Sequence, residues 1–353
     1  MKTICFNILN ASATHLPDLH KLSDAGVGRN LMHYTPTRDT ELIVCGQSQT
    51  SLPGVKVSGD GLLLNRGVSP AVLTRGLLRM FYQAGYKIEF NSFNFNVHRP
   101  RVTQQSWLSQ NQHFGGLDAD TSTLVGEHLL PTLVEQSERG CISILAECGV
   151  GGTTFSTFWL RLLTGLKLTP AGSTTDQHKL ANKAEILRQL ERRYLAGNDS
   201  EFNLDKLLGD PEYHDSIQQA LCELLSRWPE NMALPQFCGG MMFVAPLLAC
   251  RQANKLAQAV TINTTRWVLQ GDGQQILDYM QPWYRLNVHS TNFNTSKLDC
   301  LKIYERGQVV EGCGLGGCLV LAEQLGWEET DIIQALEQAV EQHLNHFEQE
   351  ILA

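Results

Sequence analysis

The chain has 353 residues, of which 42% are hydrophobic and 18% charged. It is long enough to bury a large core, in one large domain or two smaller ones, and its balance excludes a disordered chain. The net charge is −8 with Lys and Arg scattered, which argues against nucleic acid as a partner, because phosphate backbones require a clustered basic face.

In chain order, apolar and β-branched runs alternate with longer amphipathic stretches. A strand is predicted at Glu41–Cys45, a helix at Pro70–Ala84, a strand at Lys87–Phe95 and a helix at Thr121–Glu138. A strand at Cys141–Ala146 follows, then helices at Thr154–Thr164, His178–Leu195, Asp215–Arg227 and Met241–Asn254. Strands at Ala259–Val268 and Arg285–Thr291 precede a last helix at Glu328–Phe347. This alternation predicts an α/β fold with a mostly parallel sheet covered on both faces, and ligands beyond the carboxyl ends of its strands. Leu195–Tyr213, with Gly197-Asn-Asp-Ser200 and Gly209-Asp-Pro211, reads as a surface excursion between helices. Ile332, Leu336, Val340 and Leu344 form a four-residue stripe, a packing face for the N-terminal segment or for a partner subunit. No run of about eighteen apolar residues occurs, and Met1-Lys-Thr-Ile-Cys-Phe does not open a signal peptide; a cytoplasmic protein with no membrane association is expected.

Two segments carry an acid into a glycine turn and then a helix. In Glu147-Cys-Gly-Val-Gly-Gly-Thr-Thr154, a buried strand ends at the acid, and Thr153 and Thr154 cap a helix. Such a turn is either an ordinary tight connection or a phosphate cradle made by unpaired helix N–H groups. Lys183 lies on the same helical stripe as Leu180, Leu187, Leu190 and Tyr194. A cation there either snorkels or finds an anion, and a phosphate between Lys183 and Gly149–Thr154 explains both features. In Glu311-Gly-Cys-Gly-Leu-Gly-Gly317, the acid follows Val309 and Val310. It reads as a general base of raised pKa or as a solvated strand-end acid. Gln236-Phe-Cys-Gly-Gly240 is a third glycine approach, with close packing and ligand contact both open. The histidines, His289 included, show no ligand spacing. The ten cysteines contain no C-x-x-C pair, and the Cys141/Cys148 and Cys313/Cys318 spacings fit no familiar zinc framework; free thiols in a reducing cytosol are expected, with no metal.

The chain resembles the nicotinate-nucleotide–dimethylbenzimidazole phosphoribosyltransferase family, in its archaeal and cyanobacterial branch. The landmarks are Tyr34-Thr-Pro-Thr-Arg-Asp-Thr-Glu41, Ser69-Pro-Ala-Val-Leu-Thr-Arg75, Glu147–Thr154, Thr264-Thr-Arg-Trp-Val268 and Tyr304-Glu-Arg-Gly307 leading into Glu311–Gly317, all in family order. The resemblance implies a three-layer, Rossmann-like α/β domain over residues 35–325, plus a small helical, dimerising domain built from 1–34 and 326–353. It implies transfer of the 5-phosphoribosyl group from nicotinate mononucleotide to an aromatic base for the cobalamin nucleotide loop, by a homodimer without a cofactor. Glu311 matches the family's general base. Glu147, Gly149, Val150, Gly151, Gly152, Thr153, Thr154 and Lys183 match the substrate phosphate and ribose site. The acceptor pocket is expected at Ser69, Arg75, Cys148, Gly239 and Gly240. Two departures stand out: Gly152 replaces an Asn, and Arg75 stands in a shortened Ser69 segment where a neutral polar residue is expected. They leave the acceptor open, along with the alternative of a non-catalytic homologue that binds a nucleotide or corrinoid precursor. A dinucleotide-dependent oxidoreductase ranks last, since Gly312–Gly317 lacks an acid about twenty residues on at the end of a following strand.

Overall fold

The computed structural model describes residues 2–16, 18–26, 29–53, 67–170, 172, 174–196, 202–280 and 283–352, with side chains of the last helix described through residue 345. The strands are β1 (Thr3–Ser12), β2 (Lys87–Phe95), β3 (Gln110–Gly116), β4 (Ile142–Val150), β5 (Gln236–Cys238), β6 (Val260–Thr264) and β7 (Tyr284–Val288). They form one seven-stranded sheet in the order β3-β2-β1-β4-β5-β6-β7, and every pairing is parallel. The fold is α/β and Rossmann-like, with helices on both faces and added helical segments.

The helices are α1 (Thr35–Cys45), α2 (Pro70–Gln83), α3 (Thr121–Leu124), α4 (Leu130–Glu138), α5 (Gly152–Thr164), α6 (Gln177–Leu195) and α7 (Leu204–Gly209). Then come α8 (Ser216–Arg227), α9 (Met241–Gln252), α10 (Gly273–Asp278), α11 (Asp299–Lys302), α12 (Leu315–Gln324) and α13 (Glu329–Leu352). One group gathers around α2, which packs with α1, α12 and α13; another gathers around α9, which packs with α5 and α8. Among the described residues, no helix is long and apolar enough to cross a membrane.

The first strand corrects the expected domain boundary. The family resemblance puts residues 1–34 in a helical unit, yet Thr3–Ser12 lies between β2 and β4 at the centre of the sheet. Asn7 and Asn10 interrupt its apolar run, and both are fully buried. Each pairs with the residue in register on β2: the Asn91 amide donates to Asn7 at 2.9 Å, and the Asn10 amide donates to Asn94 at 2.9 Å. A buried amide that finds such a partner escapes most of the desolvation penalty, so the strand tolerates it.

A second correction concerns Glu41–Cys45, expected as a strand and found as the last turns of α1. Pro36 presets the first turn of that helix, and Leu42-Ile-Val44 is too short a run to reveal its period. Buried Glu41 instead gathers the loops around it, accepting the N–H groups of Gln49, Thr50 and Arg101 at 2.7–2.8 Å. The other predicted strands and helices occur near their expected bounds, with β6 ending at Thr264 before a 3-10 turn at Arg266–Leu269. Polar β3 and three-residue β5 carry too little apolar signal to be predicted. Gly197-Asn-Asp-Ser200 falls outside the described residues.

The terminal stripe packs within the chain itself. Ile332, Leu336 and Val340 join the same core as Ile4 and Phe6, and α13 lies against α2. Gly76 permits the close approach: a Cβ there would stand 2.7 Å from the Ala339 Cβ.

Candidate active site

The strand order reverses between β1 and β4, so the helices that follow these strands leave a crevice at their carboxyl ends, the usual ligand position in such sheets. A cavity opens there. It is walled by the β4–α5 turn (Gly149, Val150, Gly151, Thr153), by Gly240 and Met242, and by the segment Val309–Cys313.

Glu311 is held in this wall by four donors. Its Oε1 accepts the amides of Gly312 at 3.0 Å and Gly316 at 3.1 Å, and its Oε2 accepts the Thr265 amide at 2.8 Å and the Thr264 hydroxyl at 3.4 Å. Gly316 lies in the first turn of α12, whose N-terminal partial charge favours a carboxylate. Only glycine fits there, because a Cβ would sit 2.4 Å from Glu311 Oε2 and from the Thr264–Thr265 backbone. Burial raises the Glu311 pKa above the usual carboxylate value, and the Gly316, Gly312 and Thr265 amides oppose that rise. The result is a carboxyl group fixed in place by four donors.

Glu147 lies in the buried part of β4, and its carbonyl accepts the Cys313 amide at 2.9 Å, which ties the two acid–glycine segments together. Burial pushes the Glu147 carboxyl up to about 8, with the charges of Glu311 and Asp215 adding to the rise and the Gly149 and Gly240 amides opposing it. The Glu311 charge favours the protonated form of Glu147, so the titrations of the two acids are linked.

An ammonium stands behind the β4–α5 part of the wall. Lys183, partly buried on α6, donates from Nζ to the Thr153 hydroxyl at 3.3 Å. Burial, and then the nearby Arg161, lowers its pKa to about 8. Thr153 is in the first turn of α5, after the left-handed Gly151 at φ 84°. A helix N-terminus with an ammonium beside it suits a phosphate or carboxylate.

Of the residues expected at the site, Ser69, Glu147, Cys148, Gly149, Val150, Gly151, Thr153, Gly240 and Glu311 line the cavity. Lys183 reaches its edge through Thr153. Gly152, Thr154 and Gly239 stand behind the wall. A Cβ on Gly152 would lie 2.4 Å from Asp215 Oδ2 and from the Met242 Cε, and one on Gly239 would lie 3.0 Å from the Glu147 Cγ; these glycines serve packing.

Arg75 is a correction. It lines a separate cavity between α2 and α13, and its Nη1 donates to the Ile43 and Val44 carbonyls at 2.9 and 2.5 Å. Its guanidinium also lies 5.4 Å from the centre of the Trp107 ring. The last carbonyls of α1 lack helical donors, and Arg75 satisfies them instead of facing an acceptor.

Several residues at the site escape the reading of the sequence, three of them ionisable and buried beside the acids. Asp39 and Cys313 line the cavity, and buried Asp215 stands behind Gly152. Asp39 belongs to a landmark whose end reads as a strand, which hides the face of α1 it occupies. The other landmarks meet physically: Glu305 accepts Arg266 Nη2 at 2.5 Å, Trp267 Nε1 at 3.1 Å and the Phe293 amide at 2.7 Å. That joint holds the segment leading to Glu311. His289 is buried with its ring 4.8 Å from that of Trp267, and burial lowers its pKa to about 4.

No family model matches the chain. Its relatives include a UPF0284 protein of Rippkaea orientalis, 26% identical and covering 94% of this chain and 91% of the relative. A UPF0284 protein of Pyrobaculum calidifontis is 26% identical, covering 88% and 89%, and one of a Cyanothece species is 29% identical, covering 90% and 85%. Among solved structures, the chain is similar to CobT from Thermus thermophilus, with a TM-score of 0.42 and 12% identity over 96% of this chain and 84% of that one. A nicotinate-nucleotide-dimethylbenzimidazole phosphoribosyltransferase from the same organism gives 0.41 and 13% over 96% and 83%.

Proposed function

We propose that this chain is a phosphoribosyltransferase. It moves the 5-phosphoribosyl group of nicotinate mononucleotide to a ring nitrogen of an aromatic base, dimethylbenzimidazole or a relative, in assembly of the cobalamin nucleotide loop. The observation that carries the reading is one cavity lined both by Thr153, which Lys183 contacts, and by the hydrogen-bonded carboxylate of Glu311.

The chemistry follows from that pairing of a cation and an acid. The 5′-phosphate is held by the first turn of α5 and Lys183, which fixes the anomeric carbon against the acceptor; positioning of this kind accounts for much of a transfer rate. The bond from C1′ to the nicotinate nitrogen breaks with its electron pair going to the pyridinium ring, so nicotinate leaves with an uncharged nitrogen. The acceptor nitrogen forms the new bond from the opposite face, and its N–H proton passes to Glu311. Before it takes the proton, the Glu311 anion stabilises positive charge building on the ribose. Protonated Glu147 avoids a second negative charge beside the first.

The homodimer expected from the family resemblance is part of this proposal. The test is to incubate the protein with nicotinate mononucleotide and a panel of bases, and to assay free nicotinate. Base-dependent release supports transfer. Binding of the nucleotide without release under any base assigns the chain to the non-catalytic alternative.

A further inference from the structure

Three side chains from separate elements meet at the base of the cavity, and the reaction proposed above uses none of them. Asp39 comes from α1, Cys148 from β4 and Cys313 from the turn before α12. The Cys148 Sγ lies 3.5 Å from Asp39 Oδ2, and the Cys313 Sγ lies 3.7 Å from the same oxygen. One ligand atom from each falls within 4.8 Å of the other two.

These separations fit the edges of a metal tetrahedron. With Zn–S of about 2.3 Å and Zn–O of about 2.0–2.2 Å, tetrahedral angles give S···O edges of roughly 3.5–3.7 Å and an S···S edge of roughly 3.8 Å. The thiol–carboxylate distances already have that length. Two further features agree. Cys313 stands at φ 54° between Gly312 and Gly314, in the left-handed region where glycine is unstrained, so a side chain is present there against the backbone preference. Asp39 Oδ1 accepts the Ser69 hydroxyl at 2.9 Å, an outer hydrogen bond of the kind that orients a ligating carboxylate, and it leaves Oδ2 toward the thiols.

We propose that Asp39, Cys148 and Cys313 form a binding site for a thiophilic divalent metal of the zinc class, with the fourth position open to the cavity. Two thiolates and a carboxylate favour zinc over the harder magnesium or calcium. On binding, both thiol protons go to solvent and the metal gains two thiolate bonds and one carboxylate bond, leaving the centre with one net negative charge. All three ligands line the cavity, so water or a nitrogen- or oxygen-donor small molecule completes the tetrahedron.

Cobalt(II) reports this site without reference to activity, so its result is independent of whether phosphoribosyl transfer occurs. Reduced, chelator-stripped protein titrated with cobalt is expected to take up one equivalent. It should develop a near-ultraviolet thiolate-to-cobalt charge-transfer band and the intense visible bands of four-coordinate cobalt, which zinc then bleaches. The spectrum should vanish in the Cys148→Ser/Cys313→Ser double variant and persist in Cys300→Ser, a cysteine outside the cavity. Wild-type protein without the charge-transfer band, or a double variant that keeps it, overturns the proposal. If the double variant does not fold, Ser69→Ala decides: a loss of zinc affinity of about 10–100-fold supports the site, and unchanged affinity overturns it.

Discussion

Glu147 and Glu311 border one cavity, and after burial the Glu311 charge is the main reason that Glu147 holds its proton up to about pH 8. The sign of the consequence follows. The folded-state pKa of Glu147 lies above its unfolded value, so its contribution to stability is full below about pH 4.5 and is lost as pH rises toward about 8. Glu147→Gln should therefore flatten the fall in stability across that window and be more stable than wild type near pH 8, as read by denaturant unfolding at several pH values. An unchanged pH slope in the variant contradicts the assignment.

Replacing Glu311 by Gln should leave the fold intact and lower turnover by about 100-fold or more, the usual scale for a general base. Near-normal turnover removes Glu311 from that role.

Gly316→Ala gives a complementary test. In an exposed helix, Ala would be favoured over Gly by up to about 1 kcal/mol. Here the new Cβ would meet Glu311 and the Thr264–Thr265 backbone at 2.4 Å, so the variant should instead lose about 1–3 kcal/mol and much of its turnover. A gain in melting temperature contradicts the tight packing around the carboxylate.

The pattern of acids, glycines and helices makes the parallel α/β class, the glycine turn after β4 and the segment around Glu311 legible in the sequence. Other parts are hidden for physical reasons. Buried Asn7 and Asn10 break the apolar signature of β1, because cross-strand pairing replaces hydrophobicity as their reason to be inside. The run before Gly46 is too short to distinguish strand from helix, which conceals the place of Asp39 in the cavity. Cys148 and Cys313 are 165 residues apart, and spacing rules for metal ligands see only neighbours in the chain. Arg75 has the right position in sequence, but the α1 carbonyls draw its side chain to the other side of α2.

Lys183→Met should weaken binding of nicotinate mononucleotide while leaving base affinity unchanged. Because burial holds the Lys183 ammonium at about 8, nucleotide affinity in the wild type should fall as pH rises through that region, and the variant should lose this dependence. Calorimetric titration from pH 7 to about 9 reads both. A variant with wild-type affinity and the same pH profile removes Lys183 from the phosphate cradle.

Arg75→Ala should destabilise the protein by about 1–2 kcal/mol, through the lost cap on α1 and the lost contact with Trp107. The order of preference among acceptor bases should not change. A reordered preference would return Arg75 to the acceptor pocket.

The most direct test is a crystal structure of the protein with nicotinate mononucleotide bound. The account predicts the 5′-phosphate within hydrogen-bonding distance of Lys183 Nζ and Thr153, with the anomeric carbon turned toward the Glu311 carboxylate. A nucleotide seated with its phosphate away from Lys183, or with its ribose facing away from Glu311, contradicts it.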